Sequence, residues 1–381
     1  MTSKTVYMDY AAATPLDPAV LATMQPYFRG HFYNPSATYS AALAVHRDLE
    51  KARGDVALVF GCRPSEVVFT AGGTEANNVA IHGVMRRYPK ANMVVSAVEH
   101  DSVLAPAGEY TCKLLPVTAE GIVEVGKLPK LVDDATVLVS VMYANNEVGS
   151  IQPIKEVSRA LEVIRNERRK KGNKLPLYLH TDACQAAGYL DLHVSRLGVD
   201  LMSVNGGKIY GPKQSGALYV RGGLQLSPLV AGGGQENGLR SGTENVAGCI
   251  GFATALTIAQ EQRSDEVSRL QKLQKQFMEQ LEQAVPSVVI NGSRKHRLPN
   301  NIHVTIPGQD NERLLIQLDE AGVQAAAGSA CSASNEEPSH VLKAMGISEV
   351  DAQASLRFTL GRPSTASHVG YVVETLARLL A

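Results

Sequence analysis

A chain of 381 residues, 44% hydrophobic with 5% aromatics and no Trp, has material for two packed domains or one large α/β domain with an appendage, cored by Val, Ile, Leu and Ala. Lys plus Arg and Asp plus Glu balance at 37 each, so no global field recruits nucleic acid or an anionic membrane; small molecules or proteins are the expected partners. The cysteines (Cys62, Cys112, Cys184, Cys249 and Cys331) are odd in number and lack C-x-x-C spacing, which argues against a disulfide framework and a zinc site and fits reduced thiols in a cytosol.

At the N-terminus, MTSKTVYMDYAAATP lacks a basic-then-apolar leader pattern, and no apolar run approaches the ~20 residues that span a bilayer, so a cytoplasmic protein is expected. Through residues 50–230 short β-rich runs alternate with amphipathic helical stretches, which predicts βαβ units and a mainly parallel sheet. Strands are expected at 67–70, 92–96, 136–142, 177–181 and 201–204, several of them apolar throughout, as strands buried on both faces should be. Each ends in polar residues, and ligands of open α/β sheets bind beyond the carboxyl ends of strands. The charged run at 165–174 predicts a helix C-terminus and a solvated turn. Residues 248–284 read as one long helix bridging to a second domain, followed by strands at 288–290 and 302–306, a helix at 311–321, a Gly/Ser/Ala-rich loop at 325–334 and a closing helix. The resulting division is a large α/β domain at 15–255 and a small C-terminal domain at 256–381, with residues 1–14 packed nearby.

Asp182 follows one expected strand and Lys208 the next. Pyridoxal phosphate requires an amine to take its aldehyde and a carboxylate to keep its pyridine nitrogen protonated, and Lys208 and Asp182 supply this pair. Each alone reads equally well as a surface lysine or a helix cap. The stretch 70–77 leaves a strand and opens a helix through Gly72, Gly73 and Thr74, a cradle for a phosphate. Asn205-Gly-Gly-Lys208 and Arg240-Ser-Gly-Thr243 offer similar turns. His100, after the strand ending at Ser96, suits ring stacking and proton transfer near neutral pH, or is a solvated loop histidine. Cys331 lies among small residues with no apolar anchor, as an accessible thiolate requires. Cys62, Cys112, Cys184 and Cys249 lie in apolar or strand-adjacent stretches and read as inert core thiols.

Thr74-Glu75, Glu99-His100, Asn145-Asn-Glu-Val-Gly149, Asp182 with Gln185, Lys208-Ile-Tyr-Gly-Pro-Lys213, Arg240-Ser-Gly-Thr243, Gly328-Ser-Ala-Cys331 and Arg357-Phe-Thr-Leu-Gly-Arg362 occur in this order. Together, from Tyr7 to Arg362, they resemble the cysteine desulfurases of the NifS/IscS class. The resemblance implies an α/β fold of the type I pyridoxal-phosphate enzymes, with a mainly parallel sheet in the large domain and a smaller α+β domain carrying the cysteine loop. It implies a homodimer that converts L-cysteine to L-alanine, leaves the sulfur as a persulfide and passes it to an acceptor protein, for iron–sulfur cluster assembly or another sulfur-transfer pathway. No metal is implied.

By position, Lys208 resembles the lysine that holds the cofactor aldehyde and Asp182 the partner of the pyridine nitrogen. Gln185 and Asn145 resemble the ligands of the ring hydroxyl, with Asn145 also toward substrate. His100 resembles the ring-stacking acid/base, and Gly73 and Thr74 the phosphate ligands. Thr243 resembles the ligand donated by the neighbouring subunit, Arg357 the guanidinium that grips the substrate carboxylate, and Cys331 the persulfide carrier. The spacing from Cys331 to Pro338 resembles the branch with a long catalytic loop. Asn205 and Gly207 stand where the family usually has Ser and His. Asn205 still donates a hydrogen bond and Gly207 a backbone N–H, so weaker cofactor retention is expected. Tyr39-Ser40 stands where a Ser-x-His usually follows the Asn34-Pro35 pair. Rival readings are a selenocysteine lyase, an aminotransferase or another lyase on the same scaffold, and a homologue that binds a partner without turnover. Alanine production that depends on Cys331 separates them.

Overall fold

The computed structural model describes residues 5–328 and 338–381. Its strands in chain order are β1 (Val6–Tyr7), β2 (Val67–Thr70), β3 (Asn92–Ser96), β4 (Cys112–Leu115), β5 (Thr136–Ser140), β6 (Tyr178–Asp182), β7 (Leu201–Asn205), β8 (Gly216–Val220), β9 (Val289–Ile290), β10 (Asn301–Thr305), β11 (Val323–Gln324) and β12 (Ser355–Thr359). A seven-stranded sheet runs β2-β8-β7-β6-β5-β3-β4. All of its pairings are parallel except those of β8, which is antiparallel to both β2 and β7.

The apolar strands are apolar because both sheet faces are covered. Val67 and Phe69 of β2 pack into a core with Val56 and Phe60 of the helix Ser40–Phe60 and Phe252 of the helix Val246–Glu261. Val68, between them, packs on the opposite face with Ala80 and Val84 of the helix Gly73–Met85. Val94 and its neighbours Met93 and Val95 divide in the same way, as the twofold alternation of a strand demands. A separate core joins Val6 and Met8 to Leu270, Phe277, Val304, Phe358 and Val372 around the antiparallel sheet β12-β10-β9. β1 pairs with β11 beside it.

β2 and β3 have the expected limits. β5 stops at Ser140 rather than continuing to 142, because the Met142 N–H is taken by the Glu99 carboxylate at 2.6 Å instead of by a neighbouring strand. β4 and β8 carried no recognised signal. β8 opens on Gly216, where a Cβ would come within 2.9 Å of Gly72 Cα, so the close passage of two backbones put a weak strand former at the start of a central strand. The long helix expected over 248–284 is two helices, Val246–Glu261 and Arg263–Ala284, meeting at Gln262. The break lets the first bury Phe252 and Leu256 in the large core and the second present Leu270, Leu273, Phe277 and Leu281 to the other core.

The charged run does end a helix, Ile154–Lys170, but it is not a purely solvated turn. Arg165 pairs with Asp200 at 2.8 Å, and buried Arg168 donates to Thr136 O at 2.8 Å. Among the described residues no helix is long and apolar enough to cross a membrane, and no cluster of side chains is arranged to hold a metal.

Candidate active site

β2, β3, β5, β6 and β7 all deliver their carboxyl ends to one rim, where a cavity of about 90 Å³ is lined by Ala11, Ala12, Gly73, Thr74, His100, Ser102, Met142, Ala144, Asn146, Asp182, Cys184, Gln185, Asn205, Lys208 and Arg357. A wider opening of about 540 Å³ shares Gly73, Thr74, Asn205 and Lys208 with it and adds Gly207 and Lys213.

Lys208 ends a one-turn 3₁₀ helix that β7 feeds directly; Asn205 Oδ1 caps this turn by accepting from Gly207 N at 2.9 Å. The Lys208 ammonium donates to the carbonyls of Ala11 (2.8 Å) and Ala12 (2.7 Å), and Gln185 Nε2 donates to Ala11 O at 3.0 Å. Ala11 and Ala12 thus form one wall, in a stretch anchored by Thr14 N on Gly207 O at 3.2 Å.

Asp182 closes β6. Its Oδ1 accepts from Cys184 N at 2.9 Å and its Oδ2 from Asn77 Nδ2 at 2.7 Å, which fixes the carboxylate plane. Asn77 Nδ2 also reaches Ser102 Oγ at 2.8 Å, and Ser102 N donates to His100 Nδ1 at 3.0 Å. That backbone donor makes Nδ1 an acceptor, so the neutral ring carries its proton on Nε2. His100 and Asp182 therefore belong to one hydrogen-bonded chain through Asn77. Behind it, burial pushes the Glu99 carboxyl well above its ordinary range, with the Asp182 charge adding to the effect.

Gly73 starts the helix Gly73–Met85, and Gly73, Thr74 and Glu75 of its first turn line the wider opening. A Cβ on Gly73 would fall inside the van der Waals shell of Cys184 Sγ. Cys184 is buried as expected of an inert thiol, yet it sits on the cavity wall; burial raises its thiol far above the usual value and the Asp182 charge raises it further.

Arg357, on β12, is 2% exposed. Its Nη2 pairs with Asp9 Oδ1 at 2.7 Å and its Nη1 donates to Asn146 O at 2.8 Å, while its buried Nε has no partner among the described residues. Arg357 nonetheless lines the cavity, so its guanidinium offers a cation suited to a carboxylate there.

Not every expected residue is gathered here. Asn145, expected as a ligand of cofactor and substrate, does not line the cavity: its Nδ2 is used by Val98 O at 3.0 Å and its Oδ1 accepts from Glu147 N and Val148 N, both at 2.9 Å. Turn geometry puts Asn146 on the wall instead. Thr243 is exposed and is not among the lining residues. Cys331 lies outside the described residues, as does the loop expected around it beyond Gly328. Asn77, Asn146 and the carbonyls of Ala11 and Ala12 were not anticipated. Asn77 had a signal, one helical turn past Gly73 in the glycine-rich stretch; two alanine carbonyls had none.

The aminotransferase class-V family model matches residues 6–372. The cysteine desulfurase IscS of Dictyoglomus turgidum is 40% identical, covering 98% of this chain and 94% of its own. The human cysteine desulfurase is 39% identical over 97% of this chain and 80% of its own. Among solved structures, a NifS-like protein superposes with a TM-score of 0.90 at 33% identity, with 99% of each chain covered. SspA in complex with cysteine gives a TM-score of 0.81 at 33% identity, covering 93% of this chain and 99% of that one.

Proposed function

The chain belongs to the aminotransferase class-V family as one of its cysteine desulfurases, and on that premise we propose that it uses pyridoxal phosphate in the cavity at the sheet rim to convert L-cysteine to L-alanine, placing the sulfur on Cys331. The residues fit that cofactor. Lys208 brings an amine to the wall, Asp182 a carboxylate whose remaining acceptor capacity suits a protonated ring nitrogen, and the Gly73–Thr74 helix start a set of N–H donors for a phosphate. When bound, the cofactor supplies an electron sink for the bonds of the substrate α-carbon.

The chain's own residues do the rest. Lys208 would hold the cofactor aldehyde through its Nζ, and its amine would move the proton of the substrate Cα. Arg357 receives the substrate carboxylate from the cavity wall, with Asn146 O and Asp9 holding the guanidinium plane. His100, its proton on Nε2, serves the ring face and proton transfer. The thiolate of Cys331 forms a bond to the substrate sulfur as the Cβ–S bond breaks; the product carbon gains a proton and leaves as alanine, and the enzyme keeps the persulfide. The protein acts in the cytoplasm as a homodimer, with exposed Thr243 directed to the neighbouring subunit's site, and hands sulfur to an acceptor protein such as an iron–sulfur scaffold.

The observation that carries this reading is the convergence of Lys208, Asp182 and Arg357 on one cavity. Lys208→Ala, loaded with cofactor, is expected to lose alanine release from cysteine, and Asp182→Asn to keep the cofactor yet turn over very slowly. Wild-type alanine release by either variant contradicts the assignment.

A further inference from the structure

Glu147 is 1% exposed and lies next to Asn146, the residue whose carbonyl receives Arg357 Nη1. Its Oε2 accepts from Ser339 Oγ at 2.5 Å. A Cβ built on Gly328 would lie 3.3 Å from the same oxygen, and Gly328 has φ +140°, so backbone strain and space both favour glycine there. The chain thus enters the segment that carries Cys331, at Gly328, and returns from it, at Ser339, against one oxygen of one buried carboxylate.

Contacts on both sides extend the junction. Ala326, before Gly328, exchanges backbone hydrogen bonds with Arg357, Ala326 N to Arg357 O at 3.2 Å and Arg357 N to Ala326 O at 2.7 Å. His340, after Ser339, donates through Nε2 to the carbonyl of Glu99, the neighbour of His100, at 2.8 Å. Glu147 itself is fixed by its N–H on Asn145 Oδ1 at 2.9 Å and by its carbonyl, which accepts from Asn301 Nδ2 at 2.8 Å. Burying a carboxylate is costly, and here it is placed where the two flanks of the Cys331 segment meet the turn that receives Arg357.

We infer that Glu147 is a positioning residue for sulfur transfer, its carboxylate fixing the returning end of the Cys331 segment, at Ser339, to the turn that also holds Arg357, with Gly328 packed close beside it. The inference rests on the proposed roles of Cys331 and Arg357. A purely local explanation exists for Ser339, which also caps the helix His340–Ala344 by accepting from Leu342 N at 3.3 Å. The test must separate cap from clamp.

Cofactor-loaded wild type, Ser339→Ala, Ser339→Asp and Glu147→Gln are mixed with cysteine in single turnover. The change in visible absorbance reports substrate engagement, and mass analysis of quenched samples reports persulfide on Cys331. Ser339→Ala is expected to slow persulfide formation about tenfold while engagement stays within about twofold, since positioning errors fall on the step that needs the geometry. Ser339→Asp keeps a good helix cap but replaces the hydroxyl donor to Glu147 with a second carboxyl set against a buried one, so it slows persulfide formation more than Ser339→Ala. Glu147→Gln keeps an acceptor for Ser339 and stays within about threefold of wild type. The inference is overturned if both steps slow together, if neither slows, or if Ser339→Asp restores what Ser339→Ala loses. Cys331→Ala in parallel isolates the underlying reading: alanine released at the wild-type rate by that variant overturns the role of Cys331, and the inference with it.

Discussion

Gly73→Ala tests the packing that shapes the proposed phosphate end of the cavity. The added methyl falls inside the shell of Cys184 Sγ and has Asn205 Cβ at 3.5 Å on another side. Relief to an ordinary contact demands a displacement of about 1 Å. The displaced partner is not neutral: Cys184 N donates to Asp182 Oδ1 at 2.9 Å, so the shift passes to the proposed pyridine partner. Gly73 has no positive φ, and alanine is the better helix former, so backbone terms oppose the loss rather than add to it. Overpacking of this kind costs about 1–3 kcal/mol, or about five- to 150-fold if it falls on cofactor affinity. The assay is titration of pyridoxal phosphate into cofactor-free protein, followed by visible absorbance, for Gly73→Ala, Cys184→Ala and the double variant. Cys184→Ala alone should change affinity by less than about threefold, and the double variant should recover most of the loss, a coupling above about 1 kcal/mol. Wild-type affinity in Gly73→Ala, or a double variant as weak as Gly73→Ala, refutes the reasoning.

The neighbouring asparagines should separate stability from turnover: Asn145→Ala leaves Val98 O, Glu147 N and Val148 N without their partner and should cost about 2 kcal/mol in urea unfolding, while Asn146→Ala should stay within about 0.5 kcal/mol and lower turnover instead. Gly207→His should slow cofactor loss on dialysis, because the Cβ meets only the flexible Lys213 Cδ at 3.2 Å and Asn205 Oδ1 at 3.4 Å; loss at the wild-type rate would show that Gly207 leaves nothing missing. His180, buried between Ser140 and Ser203, is held down to about 4 by burial. Its proton is taken up by the unfolded chain first, so its neutral form stabilises the fold fully above about pH 6.5 and that contribution is lost as pH falls toward 4, at up to about 1.4 kcal/mol per pH unit. Unfolding of wild type and His180→Gln across this window should diverge by that slope; parallel profiles would refute it.

The sheet was legible because Val67–Thr70 and Asn92–Ser96 are buried on both faces and so carry unbroken apolar runs. The site was legible where chemistry and strand ends coincide, at Asp182, Lys208 and Gly73. It was not legible where a contact is made by backbone or decided by a turn. Ala11 and Ala12 wall the cavity with carbonyls, which no side-chain pattern announces. The choice between Asn145 and Asn146 is made by the turn, where Asn145 Oδ1 takes two N–H groups. β8 was hidden by its opening glycine, and the break at Gln262 by helix formers on both sides, since only the need to reach two cores required it.

The most direct test is incubation of the cofactor-loaded protein with L-cysteine, followed by mass analysis of its cysteine peptides. The peptide containing Cys331 should carry one additional sulfur atom, in step with alanine release and only while Lys208 is intact. Alanine formed with no sulfur on Cys331, or with the sulfur on Cys184 beside Asp182, would contradict the assignment of Cys331 as the carrier.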